Sequence, residues 1–280
     1  MKINYKKGIM AVASVIAMGP LPQCMSKNNE KTVADETPVK KEHTVLLDYY
    51  YNNEYRKNAA GQQERWHYTW EDTIYSGYSW FGKTFTDQGA KLASLTTQPT
   101  AKDLGKASVY IIADPDTEKE TPTPNFMDEK AATVIAEWVK QGGVLVLLTN
   151  DSGNAELQKF NTLSDKFGIH FNEDSHNRVK NDVYEQGAVI TPAGHEIFGT
   201  PKKLFIKEYS SLTLTGTAKA TVTHNNNNLM AVAKYGKGTV FALGDPWVYN
   251  EYTDGKKLPK DFQNYEAAQE LAKWLLKQAK

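Results

Sequence analysis

Four apolar stretches in this chain each run into acids. Leu46-Leu47 stops at Asp48, Val109–Ala113 at Asp114-Pro-Asp116, Val144–Leu148 at Asn150-Asp151, and Thr239–Leu243 at Gly244-Asp-Pro-Trp-Val-Tyr-Asn-Glu251. Carboxylates set among aromatic rings suit carbohydrate chemistry. One acid protonates a leaving oxygen, a second activates water, and flat rings cover the apolar faces of a sugar. The candidate acid–base pairs are Asp114 with Asp245 and Glu71 with Asp116. Asp48, Tyr50, Trp66, His67, Trp70, Asn150, Asp151, Trp247, Tyr249 and Glu251 are the candidate substrate-binding residues. Any single Asp after a strand is more simply a turn or helix cap. Four such ends, two of them bearing Asp-Pro, shift the weight toward a site.

Other chemistries fit less well. Clustered carboxylates make calcium a candidate ligand, although no EF-hand spacing is present. The six histidines form no HExxH and no Cys/His zinc pattern, so no metal site is expected. His67 reads as a polar site residue, whereas His170, alternating with Ile169 and Phe171, reads as a strand position. Ser152 follows an apolar strand, but Thr149-Asn-Asp-Ser-Gly153 is not the G-x-S-x-G elbow, and capping explains it better. Gly236-Lys-Gly238 lacks phosphate-loop spacing and precedes a strand, so a hairpin turn is expected.

For these residues to meet, the elements before them must lie side by side. The apolar run Val109–Ala113 suits a strand buried on both faces of a parallel sheet, and Pro115 stops it. Ala131, Val134, Ile135, Trp138 and Val139 share one helix face, ended by Gly142-Gly143. A second helix is expected from about Asn154 to Gly168, with Leu157, Phe160, Leu163 and Phe167 inward. Strand–helix alternation at these lengths specifies a parallel sheet covered on both sides, with ligands outside the carboxyl ends of its strands. Upstream, Tyr78, Phe81, Phe85 and Leu92 suggest a helical stripe, Ala93–Leu95 a short strand, and Thr100–Lys106 a turn. Tyr49 to Trp80 mixes rings and charges so evenly that a loop over a wet cavity is expected. Downstream, Asn181–Phe198 reads as loop and Lys203–Leu214 as strand. Ala220–His224 and Leu229–Lys234 read as a hairpin joined by Asn225–Asn228, and Thr239–Leu243 as a further strand. The closing helix places Ala268, Leu271, Ala272 and Leu275 on one face.

The chain has 280 residues and balances 33 basic against 33 acidic side chains. Lys2, Lys6 and Lys7 before the apolar run Gly8–Met18 read as a secretory signal, too short to span a membrane. Without those three lysines, 30 basic residues face 33 acidic ones, which argues against nucleic acid as a partner. Cys24 is the only cysteine, so no internal disulfide can form. Its position after Leu21 fits a lipidated lipoprotein cysteine, although Pro22 and Gln23 depart from the usual small residues; ordinary cleavage and export is the alternative. Residues 25–42 read as a tether and 43–280 as a single domain.

Two stretches, Gln141-Gly-Gly-Val-Leu-Val-Leu147 and Tyr235-Gly-Lys-Gly-Thr-Val-Phe-Ala-Leu-Gly-Asp245, resemble class I glutamine-amidotransferase-like domains. More closely, Leu47-Asp-Tyr-Tyr-Tyr-Asn-Asn-Glu-Tyr-Arg56, His67-Tyr-Thr-Trp-Glu-Asp72 and Asp245-Pro-Trp-Val-Tyr-Asn-Glu-Tyr252 are similar to the domain found beside or fused to bacterial unsaturated rhamnogalacturonyl hydrolases. The resemblance implies a flavodoxin-like or glutamine-amidotransferase-like α/β fold with a mostly parallel sheet, flanking helices and a C-terminal β-hairpin region. It also implies a link to pectin. Where the amidotransferases place a nucleophilic cysteine, this chain has Asn150-Asp151-Ser152, so glutaminase activity is not expected, and the hydrolases' helical barrel is absent. Three functions stay open: an exported, lipid-anchored glycoside hydrolase acting on rhamnogalacturonan oligosaccharides, a non-catalytic module that binds them or docks on a rhamnogalacturonyl hydrolase, and a carboxylate-metal esterase.

Overall fold

The structure, a computed structural model, describes Gly19 and residues 42–279. The signal, Cys24 and nearly all of the tether lie outside the described residues. From 42 onward the described residues belong to one compact unit.

The chain begins with β1 (Thr44–Asp48), followed by a small antiparallel hairpin, β2 (Tyr55–Lys57) and β3 (Gln63–Arg65). Then come α1 (Ser79–Thr86), β4 (Lys91–Leu95), the one-turn α2 (Ala101–Leu104), β5 (Val109–Ala113), α3 (Glu129–Gln141), β6 (Val144–Leu148), α4 (Leu157–Ser164) and β7 (Ile169–Phe171). The second half contributes β8 (Ala188–Ile190), β9 (Lys203–Phe205), β10 (Leu212–Leu214), β11 (Lys219–His224), β12 (Asn227–Tyr235), β13 (Gly238–Leu243), α5 (Asn250–Thr253) and α6 (Asn264–Gln278). The central sheet runs β4-β1-β5-β6-β13-β12-β10-β7, with β11 also pairing β12. Its first five strands are parallel, and β12, β10 and β7 extend it antiparallel.

Alternation along β5 and β6 explains why both runs are wholly apolar. Val109, Ile111, Ala113, Val144, Val146 and Leu148 enter one core with α1 and α6. Tyr110, Ile112, Leu145 and Leu147 enter the opposite core with α3 and α4. A strand with helices on both faces has no polar side to offer, which is why its sequence reads as unbroken hydrophobicity. Helix α3 starts where the Asp128 carboxylate accepts the Ala131 N–H at 2.7 Å and stops at Gly142, whose φ is 126°.

Several boundaries differ from the sequence reading, each for a local reason. Leu92 is not helical: α1 ends at Thr86, Gly89 turns the chain at φ 84°, and Leu92 lies in β4 beside β1. The expected turn at Thr100–Lys106 contains α2, capped by the Thr100 side chain. Helix α4 begins at Leu157 rather than near Asn154, because the Glu156 carboxylate accepts the N–H groups of Lys159 and Phe160. Lys203–Leu214 divides into β9, which pairs with β8, and β10, which joins the main sheet. Asn225 and Asn226 alone form the later hairpin turn, with φ 48° and 64°, and Asn227 and Asn228 already belong to β12. Two left-handed residues in succession are the signature of a twist-matched two-residue turn, and Asn tolerates that region.

Candidate functional site

Strands β1, β5, β6 and β13 are parallel neighbours, so Asp48, Asp114, Asn150 and Asp245 follow strand ends along one edge of the sheet. Among the parallel strands in chain order the arrangement is second, first, third, fourth, fifth. The chain therefore reverses its direction of winding between β1 and β5, where an open α/β sheet leaves a crevice.

The loops after β1 and β5 are stitched together at that crevice. Asp48 accepts the N–H groups of Tyr50 (3.0 Å) and Tyr51 (2.6 Å), which turns the chain sharply toward β5. The Tyr51 carbonyl accepts the Asp116 N–H at 2.9 Å, and the Asn53 N–H donates to Asp116 Oδ2 at 2.9 Å. Thr121 Oγ1 donates to the same oxygen at 2.6 Å. Glu54 follows and leads into β2. The strand returns along β3, the Trp66 N–H donates to the Glu54 carbonyl at 3.1 Å, and His67 turns the chain with φ 56°.

The result is a cluster of Glu54, His67 and Asp114 whose ligating atoms lie within 4.8 Å of one another. His67 Nδ1 is 2.6 Å from Glu54 Oε1, and the Trp66 and His67 rings lie 3.3 Å apart. Asp114 holds φ 45°, a left-handed conformation that a non-glycine residue occupies only when its surroundings impose it. Asp114 is only 3% exposed, its Oδ1 has no hydrogen-bond partner, and neither does the equally buried Oδ1 of Asp116. Burial first, then the nearby charges of Glu120 and Glu54, holds the Asp114 carboxyl well above the usual carboxylate range, against a hydrogen bond from Asn150. Burial also pushes Asp116 up to about 7, and it raises Glu120. The cluster is thus acidic by composition, with oxygen acceptors that no described residue supplies with a donor.

The other expected site residues are placed differently. Asp48 serves the fold: its second oxygen accepts the Tyr110 hydroxyl at 2.5 Å, and burial raises it to about 6 against those hydrogen bonds. Asp245 accepts the Lys207 N–H at 2.9 Å and is raised to about 8 by burial. One strand, β6, runs between its strand and that of Asp114. Asp151 accepts from Asn154 Nδ2 at 2.6 Å and anchors the turn before α4. Trp247 is fully buried and Tyr249 nearly so, both within the core, so neither ring offers a free face to a sugar. Trp70 packs on Phe81 and Phe85 and donates its Nε1–H to the Ala93 carbonyl. Glu251 pairs with Lys257 at 2.7 Å. Tyr50 is half-buried and packs edge-on against Tyr51.

Within the ring-rich loop, Tyr49, Tyr51, Tyr68 and Tyr78 are core residues, and of these Tyr49 also meets a groove. The groove, of about 560 Å³, opens beside the β2–β3 hairpin. Glu71 belongs to it, with Arg56, Glu64, Arg65, Asp72 and Ser94. Glu71 accepts the Tyr49 hydroxyl at 2.6 Å, so it stands with the groove rather than with Asp116. Arg56 pairs with Glu64 at 2.8 Å and lies over the Trp66 ring. Sequence reasoning missed Glu54, Glu120 and the groove arginines as site members. The signal for Glu54 lay in the hairpin: the pairing Tyr55↔Arg65 necessarily brings residue 54 beside residues 66 and 67.

No protein-family model matches the chain, and no curated protein does. Among solved structures, the mmIFT52 N-terminal domain matches over 83% of this chain and 96% of its own, with TM-score 0.62 and 17% identity. The cytoplasmic protein STM1381 from Salmonella typhimurium LT2 covers 85% of this chain and 100% of its own, at TM-score 0.53 and 16% identity. The cytoplasmic protein STM3548 from Salmonella typhimurium covers 84% and 97%, at 0.51 and 17%. At these identities the likeness concerns the fold alone: a mixed α/β domain around a large, mostly parallel sheet. No helix among the described residues is long and apolar enough to cross a membrane.

Proposed function

We propose that this is an exported, lipid-anchored module that binds pectin-type oligosaccharides in the groove between the β2–β3 hairpin and the end of β4, working beside a rhamnogalacturonyl hydrolase. The reading takes the domain as flavodoxin-like and glutamine-amidotransferase-like, in keeping with its strand order. The observation that supports it most is the groove itself. Its volume suits a short oligosaccharide, and its lining sets Arg56 among Glu64, Glu71 and Asp72. A guanidinium matches the carboxylate of a uronic acid, and the acidic side chains accept sugar hydroxyls.

Binding is favoured over cleavage by the placement of the acids. Asp114, Asp116 and Asp245 are buried and do not line the groove. Glu71 does line it, and already accepts the Tyr49 hydroxyl. Titration of the protein with rhamnogalacturonan-derived oligosaccharides, followed by tryptophan fluorescence and by chromatography of the sugars, tests the proposal. Binding of uronate-bearing fragments with no product is expected, weakened at least tenfold in Arg56→Ala. Absence of binding discards the oligosaccharide, and released product discards the non-catalytic role.

A further inference from the structure

We propose that Glu54, His67 and Asp114 bind one divalent transition-metal ion, which ties both ends of the β2–β3 hairpin to the end of β5. The proposal goes beyond the oligosaccharide reading and does not rest on it. The three residues come from separate segments: Glu54 enters the hairpin, His67 leaves it, and Asp114 follows β5. Their candidate ligand atoms already lie within 4.8 Å of one another. A small cation bound at about 2.0–2.2 Å to nitrogen and oxygen holds its donors about 3–3.5 Å apart, so convergence asks for shifts of about 1 Å or less. Glu54 Oε1 and His67 Nδ1 stand 2.6 Å apart, and a cation would take the place of the proton they share.

A separate observation points into the same space. Asp114 is buried, yet its Oδ1 has no hydrogen-bond partner. Orphaned buried carboxylate oxygens are costly, and a cation is one of the few groups that satisfies them. No lysine or arginine does so: among the described residues none forms an ion pair with Glu54, Asp114, Asp116 or Glu120. The donors are also held in place. The Asp114 N–H donates to the Leu148 carbonyl at 2.8 Å, and Trp66 covers the His67 ring. Both His67 and Asp114 adopt left-handed backbone conformations that aim their side chains together.

The donor set selects the class of ion. Calcium and magnesium prefer all-oxygen cages, whereas one imidazole with two carboxylates suits zinc, manganese or ferrous iron and leaves positions open for water. Zinc was not signalled by the sequence because the ligands obey no helical or loop spacing. They converge only through strand pairing.

Isothermal titration of the untagged full chain with Zn²⁺ alone, and with Mn²⁺ alone, tests the site. One ion per chain is expected at micromolar affinity or tighter, weakened at least tenfold in Glu54→Gln and in His67→Ala. His170→Ala, at an exposed histidine paired with Asp165, is expected to bind as the parent does. X-ray absorption of the zinc form is expected to report one nitrogen donor of imidazole type with oxygen donors. Circular dichroism of each variant separates loss of ligand from loss of fold. Failure of the parent chain to bind stoichiometrically overturns the proposal, and so does unchanged binding in folded Glu54→Gln and His67→Ala.

Discussion

The two halves of the sheet's carboxyl edge carry the same sequence signal and use it in opposite ways. After β13, Asp245 takes the Lys207 N–H while Trp247 and Tyr249 sink into the core. After β5, Asp114 and Asp116 keep carboxylate oxygens without donors, and Glu54 and His67 cluster with Asp114. The difference comes from topology. Between β6 and β13 the chain packs continuously against neighbouring segments. Gly244 even lies so close to Ser210 that an added Cβ would stand 1.9 Å from its carbonyl oxygen. Between β1 and β5 the winding reverses, the two loops bond to each other through their backbones, and buried carboxylate oxygens are left without donors. An aspartate after a strand is therefore ambiguous until its neighbours in the sheet are known.

The sharpest way to press that contrast is at Trp247. Trp247→Ala empties a fully buried site, and a loss of about 3–5 kcal/mol is expected in denaturant unfolding. Metal binding by the folded fraction should be unaffected. A loss below about 1 kcal/mol would mean that the β13 end is less tightly packed than its burial implies. Next in size, Tyr110→Phe removes the hydroxyl that donates to Asp48, making Asp48 resemble Asp114 by leaving it an orphaned oxygen. About 1–3 kcal/mol of destabilisation is expected. An unchanged midpoint would place Asp48 among the uncommitted acids rather than the structural ones.

The smallest effect concerns pH. Burial raises Asp245 to about 8, far above the value of an exposed aspartate near 3.9. The folded chain therefore holds this proton across a range in which the unfolded chain has released it. The stability it contributes is complete below about pH 4 and is lost as pH rises toward 8. Asp245→Asn should show a melting temperature that gains on the parent by a few degrees between pH 5 and pH 6, about 1 kcal/mol. A gap that stays constant over that interval would show that Asp245 ionises in place without cost.

Much of the scaffold was legible because it rests on periodicity. Val109–Ala113 and Val144–Leu148 are apolar without interruption because helices cover both faces, and the edge they define follows from their parallel order. The rings of Tyr49–Trp80 were opaque for the opposite reason. In an irregular segment, burial follows the path of the backbone rather than a period of 2 or 3.6. Tyr49 and Tyr51 are thus buried while Tyr50 between them is only half so. Glu54 was hidden because its partner His67 reaches it only through the pairing of two three-residue strands, too short to announce themselves. Trp247 misled because a tryptophan beside Asp-Pro reads equally well as a platform for a sugar and as filling for a core.

The borders of the sheet have a consequence for crowding. At one side it ends in β7, three residues long, and at the other in β4, which begins with Lys91 paired to Glu42. A second molecule sliding alongside β7 finds a ladder only three rungs long, and one approaching β4 must first displace a solvated cation. Two margins of the nine-stranded sheet are thus guarded, one by brevity and one by charge, while a third, β11, pairs only with β12 and opens on the exposed Lys219.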